Sequence, residues 1–187
     1  IPIFKKNYKK IDGPVVYVAN HTSYIDISSL FLVLPGYFNI IGKGMLGRVP
    51  LFGPMFRRVY ITVDRRNKRS RFESYKKSLE TIDKGRSLFI FPEGTIPNQG
   101  APKMIKFKEG AFRIAIEKQI PIVPMVYPYN WKILSNNNFK DIQWHRIEII
   151  FHEPIETKGL TLDDVDALME KTYNIMDKTI REKNNIA

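Results

Sequence analysis

Cysteine is missing from the 187 residues of this chain. Its absence removes disulfides, a thiol nucleophile and cysteine-based metal sites together, and it fits a reducing compartment. Long apolar runs are missing too. No stretch approaches the roughly 20 consecutive apolar residues that a spanning helix requires. There is no Gly-x-Ser-x-Gly elbow to present a serine nucleophile. Internal repeats, low-complexity tracts and a Pro/Gly-rich linker are also absent, which predicts a single domain over residues 1–187. The chain opens on Ile1 rather than Met, so an anchoring or targeting segment is expected upstream in the whole protein.

Basic residues, by contrast, are plentiful. Thirty Lys and Arg against nineteen Asp and Glu give a net charge of +11. Clusters lie at 5–10 (KKNYKK), at 65–71 (RRNKRSR) and around Lys103, Lys106 and Lys108. Such a balance suits an anionic partner: nucleic acid, an acidic lipid surface, or a phosphorylated or acidic substrate. A solvated basic face is the plainer explanation. No nucleic-acid-binding motif accompanies the charge.

Short β-branched runs alternate with helical periodicity. Strands are predicted at 15–19, 38–42, 60–63, 87–91, 122–127 and 146–151. Phe72, Tyr75, Leu79 and Ile82 recur at helical steps, and Gly85 follows as a cap. A second helix is predicted over 108–118. A third begins at the capping box Thr161-Leu-Asp-Asp and carries cations toward its end. Alternation of this kind predicts an α/β domain, a mostly parallel or mixed sheet flanked by helices.

Four stretches carry possible chemistry. In NHTSYID (20–26), His21 stands at a strand-to-helix turn with Asp26 behind it. Ser23-x-x-Asp26 also reads as a capping box, which accounts for Asp26 without chemistry. A His-x4-Asp pair arises by chance in roughly one chain in seven of this composition. Yet such turns project into the crevice where open α/β sheets place their sites. A carboxylate on one imidazole nitrogen leaves the other free to take a proton. With no protein nucleophile at hand, a base at His21 would activate a hydroxyl of the substrate. His145 and His152 fall on opposite strand faces, which argues against a three-histidine metal site.

The second stretch is FPEGT (91–95), a strand running into a turn. Glu93 there points either into water or into the same crevice as His21. The third, residues 42–67, mixes Met45, Leu46, Val49, Leu51, Phe52, Met55 and Phe56 with Arg48 and glycines. It is either a core-packing loop or an apolar surface for a membrane interface. The fourth, 107–127, reads as structural: Gly110 and Ala111 allow close approach and 122–127 is a core strand.

Together and in this order, the stretches resemble the glycerolipid acyltransferases, most closely the 1-acylglycerol-3-phosphate acyltransferases, over about residues 14 to 127. The resemblance implies His21 as general base and Asp26 as the residue that orients it. Glu93, Gly94 and Thr95 would bind the acceptor near the reacting centre, and Lys43 and Arg65 would hold its phosphate. It implies no cofactor and no acyl-enzyme. The donor would be acyl-CoA or acyl carrier protein, the acceptor a lysolipid and the usual product phosphatidate. An anionic membrane surface, peripherally or through an anchor at its cytoplasmic face, would be the partner, and nucleic acid would not.

One departure stands out. After FPEGT the family pattern continues Arg-Ser, whereas this chain has Ile96-Pro97. Lys103, Lys106 or Lys108 would then replace the lost cation, or the acceptor is a different lysolipid, such as a lyso-aminoacyl lipid. Two further readings remain open at this point: a non-catalytic basic binding domain, and a hydrolase in which water replaces the acceptor.

Overall fold

The computed structural model describes residues 2–34, 36–42, 59–97, 101–134 and 143–186. Lys43 and the apolar cluster from Met45 to Phe56 lie outside the described residues. Seven strands form one sheet: β1 (Ile3–Lys6), β2 (Val16–Ala19), β3 (Phe38–Gly42), β4 (Tyr60–Thr62), β5 (Ser87–Ile90), β6 (Ile122–Val126) and β7 (Ile147–Phe151). Their spatial order is β1-β7-β6-β2-β5-β3-β4. All neighbours are parallel except β6 and β7, so the sheet is mixed, as the alternation of elements predicted.

The central strands are uniformly apolar because both faces are covered. Every residue of β2 and of β6 is buried. On one face lie α2 (Lys68–Asp83), α3 (Gly110–Glu117) and α5 (Val165–Asn184), packed on Val16, Val18, Leu88 and Ile122. On the other lie α1 (Ile25–Val33) and the single turn α4 (Asn130–Ile133), packed around Tyr17, Phe89, Met125 and Ile149.

Local signals set the helix ends. Asn67 caps α2 by accepting from the amides of Arg69 and Ser70. The same helix ends at Gly85, whose φ of +73° a side chain would strain. Thr161 and Asp164 form the reciprocal capping box predicted ahead of α5. Phe72 departs from its expected place: it lies on α2 but is exposed.

Two elements were not anticipated. Residues 5–10 read as a charge cluster, yet Lys5 and Lys6 belong to edge strand β1, paired with β7 alone. The four residues of α4 are too few for a periodic signal. In β7, Glu148 is fully buried where alternation would send it to water. Lys6 (2.9 Å), Arg146 (3.1 Å) and Lys183 (3.3 Å) surround it.

Candidate active site

β2 and β5 are parallel neighbours, with Val18 beside Ile90, so the segments that follow them emerge side by side at the carboxyl edge of the sheet. After β2 come Asn20 and His21; after β5 come Phe91, Pro92 and Glu93. Asn20 is fully buried and ties this edge to the end of β6. Its amide donates to the Tyr127 carbonyl (3.0 Å), and its oxygen accepts from the Tyr127 amide (2.8 Å).

His21 Nδ1 lies 3.0 Å from Asp26 Oδ2. The same oxygen accepts from the amides of Thr22 (2.8 Å) and Ser23 (2.9 Å), while Oδ1 accepts from Asn130 Nδ2 (2.7 Å). These donors offset the cost of burying a carboxylate and fix its position. With Asp26 as acceptor, the imidazole proton belongs on Nδ1 and the lone pair on Nε2. Among the described residues Nε2 makes no hydrogen bond. The ring stacks on Phe91, centroids 3.8 Å apart, which sets its plane.

The capping-box reading of Ser23 and Asp26 is half realised. Asp26 accepts the Ser23 amide, but the Ser23 hydroxyl donates to the Leu134 carbonyl, and α1 begins two residues later. One carboxylate thus serves both the helix start and the imidazole.

Glu93 occupies the turn closed by the Gly94 amide on the Phe91 carbonyl. Its carboxylate points inward rather than into water, and is 1% exposed. Oε1 accepts from the His21 amide (2.8 Å) and Oε2 from the Ile105 amide (3.1 Å). Burial pushes its pKa up to about 7; the two amides oppose the shift and Asp26 adds to it.

Gly94 has φ +77°, and a Cβ there would sit 3.1 Å from Lys108 Cε and 3.2 Å from its Nζ. The Lys108 side chain therefore lies across the turn, tethered by its own amide to the Pro92 carbonyl. Beside this turn opens a cleft of about 960 Å³ between α2 and α3. Arg65, Lys68, Arg71, Lys108 and Arg113 line it, over a floor that includes Val63, Ile90 and Ile114. Burial lowers the pKa of the half-buried Arg65 guanidinium, so an anion there would find a poorly hydrated cation.

His21, Asp26 and Glu93 therefore meet in one hydrogen-bonded unit, and Arg65 and Lys108 meet in the adjoining cleft. Thr95 is exposed at the edge of the turn, and Ile96 is buried. His21 does not line the cleft. Asn20 and Asn130 are parts of the site that the sequence reading gave no role. Asn20 stood within the quoted motif, while nothing near Asn130 points to Asp26.

The chain matches the sequence model of the Acyltransferase family over residues 3–128. Among curated relatives, acl-2 of Caenorhabditis elegans, named provisionally as a 1-acyl-sn-glycerol-3-phosphate acyltransferase, is 35% identical over 89% of this chain and 59% of its own length. The 1-acyl-sn-glycerol-3-phosphate acyltransferase of Saccharomyces cerevisiae is 32% identical over 90% of this chain and 56% of its own. The chain thus spans a little over half the length of these relatives. In the crystal structure of the 1-acyl-sn-glycerophosphate acyltransferase PlsC from Thermotoga maritima, the fold superposes with a TM-score of 0.80 at 22% identity, covering 97% of this chain and 71% of that one. With most of its length matched to the family model, the chain belongs to the Acyltransferase family.

Proposed function

We propose that this chain moves a fatty acyl group from a thioester donor, acyl-CoA or acyl carrier protein, to the free hydroxyl of 1-acylglycerol-3-phosphate, giving phosphatidate. The observation that carries the reading is the His21–Asp26 pair at the carboxyl edge of the sheet, with no hydrogen bond on Nε2 among the described residues. His21 Nε2 takes the proton of the acceptor hydroxyl as its oxygen attacks the thioester carbonyl. Asp26 stabilises the resulting imidazolium. As the tetrahedral intermediate collapses, the C–S bond breaks and the thiol leaves with the proton from His21. No acyl-enzyme forms. Arg65 and Lys108 bind the acceptor phosphate in the cleft, with Lys43 assigned to the same role by resemblance, and Glu93, Gly94 and Thr95 hold the acceptor backbone. The reaction belongs at the cytoplasmic face of a membrane, where the protein attaches peripherally or through an anchor.

The buried Ile96 favours a second acceptor, since the family pattern has a cation there. On that reading the chemistry is unchanged and the acceptor is a lysolipid without a phosphomonoester.

The test is thiol release from a long-chain acyl-CoA and from acyl carrier protein, for wild type and His21→Ala, with lysophosphatidate, with other lysolipids and with no acceptor. The expected result is release that requires lysophosphatidate and falls at least 100-fold in His21→Ala. Release only with another lysolipid transfers the reading to the second acceptor. Equal release without any acceptor would mean hydrolysis and overturn both.

A further inference from the structure

Because β7 runs antiparallel to β6, the amino ends of β7 and its parallel partner β1 lie at the carboxyl edge of β6, the edge that carries His21. A patch of aromatic rings and cations gathers there. Trp144 is 81% exposed and Phe4 46%. The Lys132 ammonium lies 5.3 Å from the Tyr129 ring and 5.2 Å from the Trp131 ring. The Arg146 guanidinium lies 6.0 Å from the Phe4 ring and 5.7 Å from Tyr129. The chain has two tryptophans, and both are in this patch.

Two features tie the patch to the site and to charge. Asn130, next to Trp131, donates to Asp26, so α4 joins the patch to the catalytic pair. Beneath it, among the described residues, Glu148 alone faces Lys6, Arg146 and Lys183, so cations there outnumber the acid they meet. Rings with a polar edge beside lysine and arginine are what the headgroup level of a bilayer selects. In water, an exposed tryptophan in a patch of this kind has no compensating contact.

We infer that this aromatic and cationic patch at the carboxyl edge of the sheet docks on an anionic lipid leaflet and turns the His21 site toward it. The partner is a membrane surface rich in acidic headgroups. This rests on the acyltransferase reading only in saying why the site faces lipid; the contact itself is independent of turnover.

The experiment is vesicle binding without substrates, on neutral phosphatidylcholine vesicles and on vesicles of phosphatidylcholine with phosphatidylglycerol. In the wild type, emission from Trp131 and Trp144 should shift to the blue on the anionic vesicles and be quenched by lipids brominated on the acyl chain. Lys132→Glu/Trp144→Ala leaves every Glu148 ion pair in place and should bind about tenfold more weakly or worse. Lys76→Glu on α2, with the same charge change, should bind as wild type does. Thiol release from short-chain, water-soluble substrates should be equal in the double variant and wild type, so failure of the docking surface and failure of the acyltransferase reading separate. Emission insensitive to anionic vesicles would overturn the inference. So would equal loss of binding in Lys76→Glu, or vesicle binding kept by the double variant while it alone loses binding to a single-stranded oligonucleotide.

Discussion

The buried carboxylates at the edge of the sheet and the one within it are held in opposite ways. At the carboxyl edge, Asp26 and Glu93 are satisfied by amides, an asparagine and an imidazole, with no lysine or arginine bonded to either carboxylate among the described residues. At the flank, Glu148 is enclosed by Lys6, Arg146 and Lys183. Burial pushes both glutamates up, but around Glu148 the lysines more than offset it and hold its carboxyl below the usual range, whereas Glu93 is left at about 7. Neutral donors leave a carboxylate able to respond to the charge beside it. Cations fix one ionisation state and join elements instead.

The comparison can be broken from either side. The largest effect is expected from Asp26→Asn, which places an amide where four donors converge and removes the charge behind His21. Turnover should fall about 1,000-fold. Thiol-release kinetics would check it, and a loss under tenfold would remove Asp26 from the mechanism. Next is Lys6→Met/Arg146→Met/Lys183→Met, which strips Glu148 of its partners. It should lose about 3 kcal/mol of stability at pH 7 in urea unfolding, with activity per folded molecule retained. The loss should shrink in acid, because a group with a lowered pKa contributes stability above its unfolded pKa and gives it up as pH falls through the folded value.

Glu93→Gln sharpens the contrast, with the opposite sign. A raised carboxylate pKa favours the folded state while the group is protonated, so wild type should lose stability between about pH 4.5 and 7, by at most about 3 kcal/mol. Urea unfolding of both proteins across that range would show the difference, wild type minus variant, declining as pH rises. A flat difference would mean that Glu93 titrates normally.

How much of this was legible in the sequence follows from distance along the chain. Strands β2 to β7 announce themselves by apolar runs, and the His21–Asp26 pair by five residues of local spacing. Strand β1 exposes most of its short length and exists only by pairing with β7, so its lysines read as surface charge. Glu148 looks solvent-facing because two of the three cations that permit its burial, Lys6 and Lys183, come from opposite ends of the chain. The inward turn of Glu93 depends on two amides, His21 and Ile105, that no local pattern links to it. Likewise, Asp26 read as one half of a capping box and as a partner of His21; it bonds the imidazole and accepts the amides of Thr22 and Ser23 just ahead of α1, which has no side-chain cap.

The position of Glu93 has one more consequence. Its two oxygens latch two backbone segments, one carrying His21 and one running from Ile105 to Lys108, to a single strand end. Remodelling either segment strips a donor from one of the two oxygens of a buried carboxylate. Loop grafting at this edge of the sheet must therefore exchange both segments with the turn as one part.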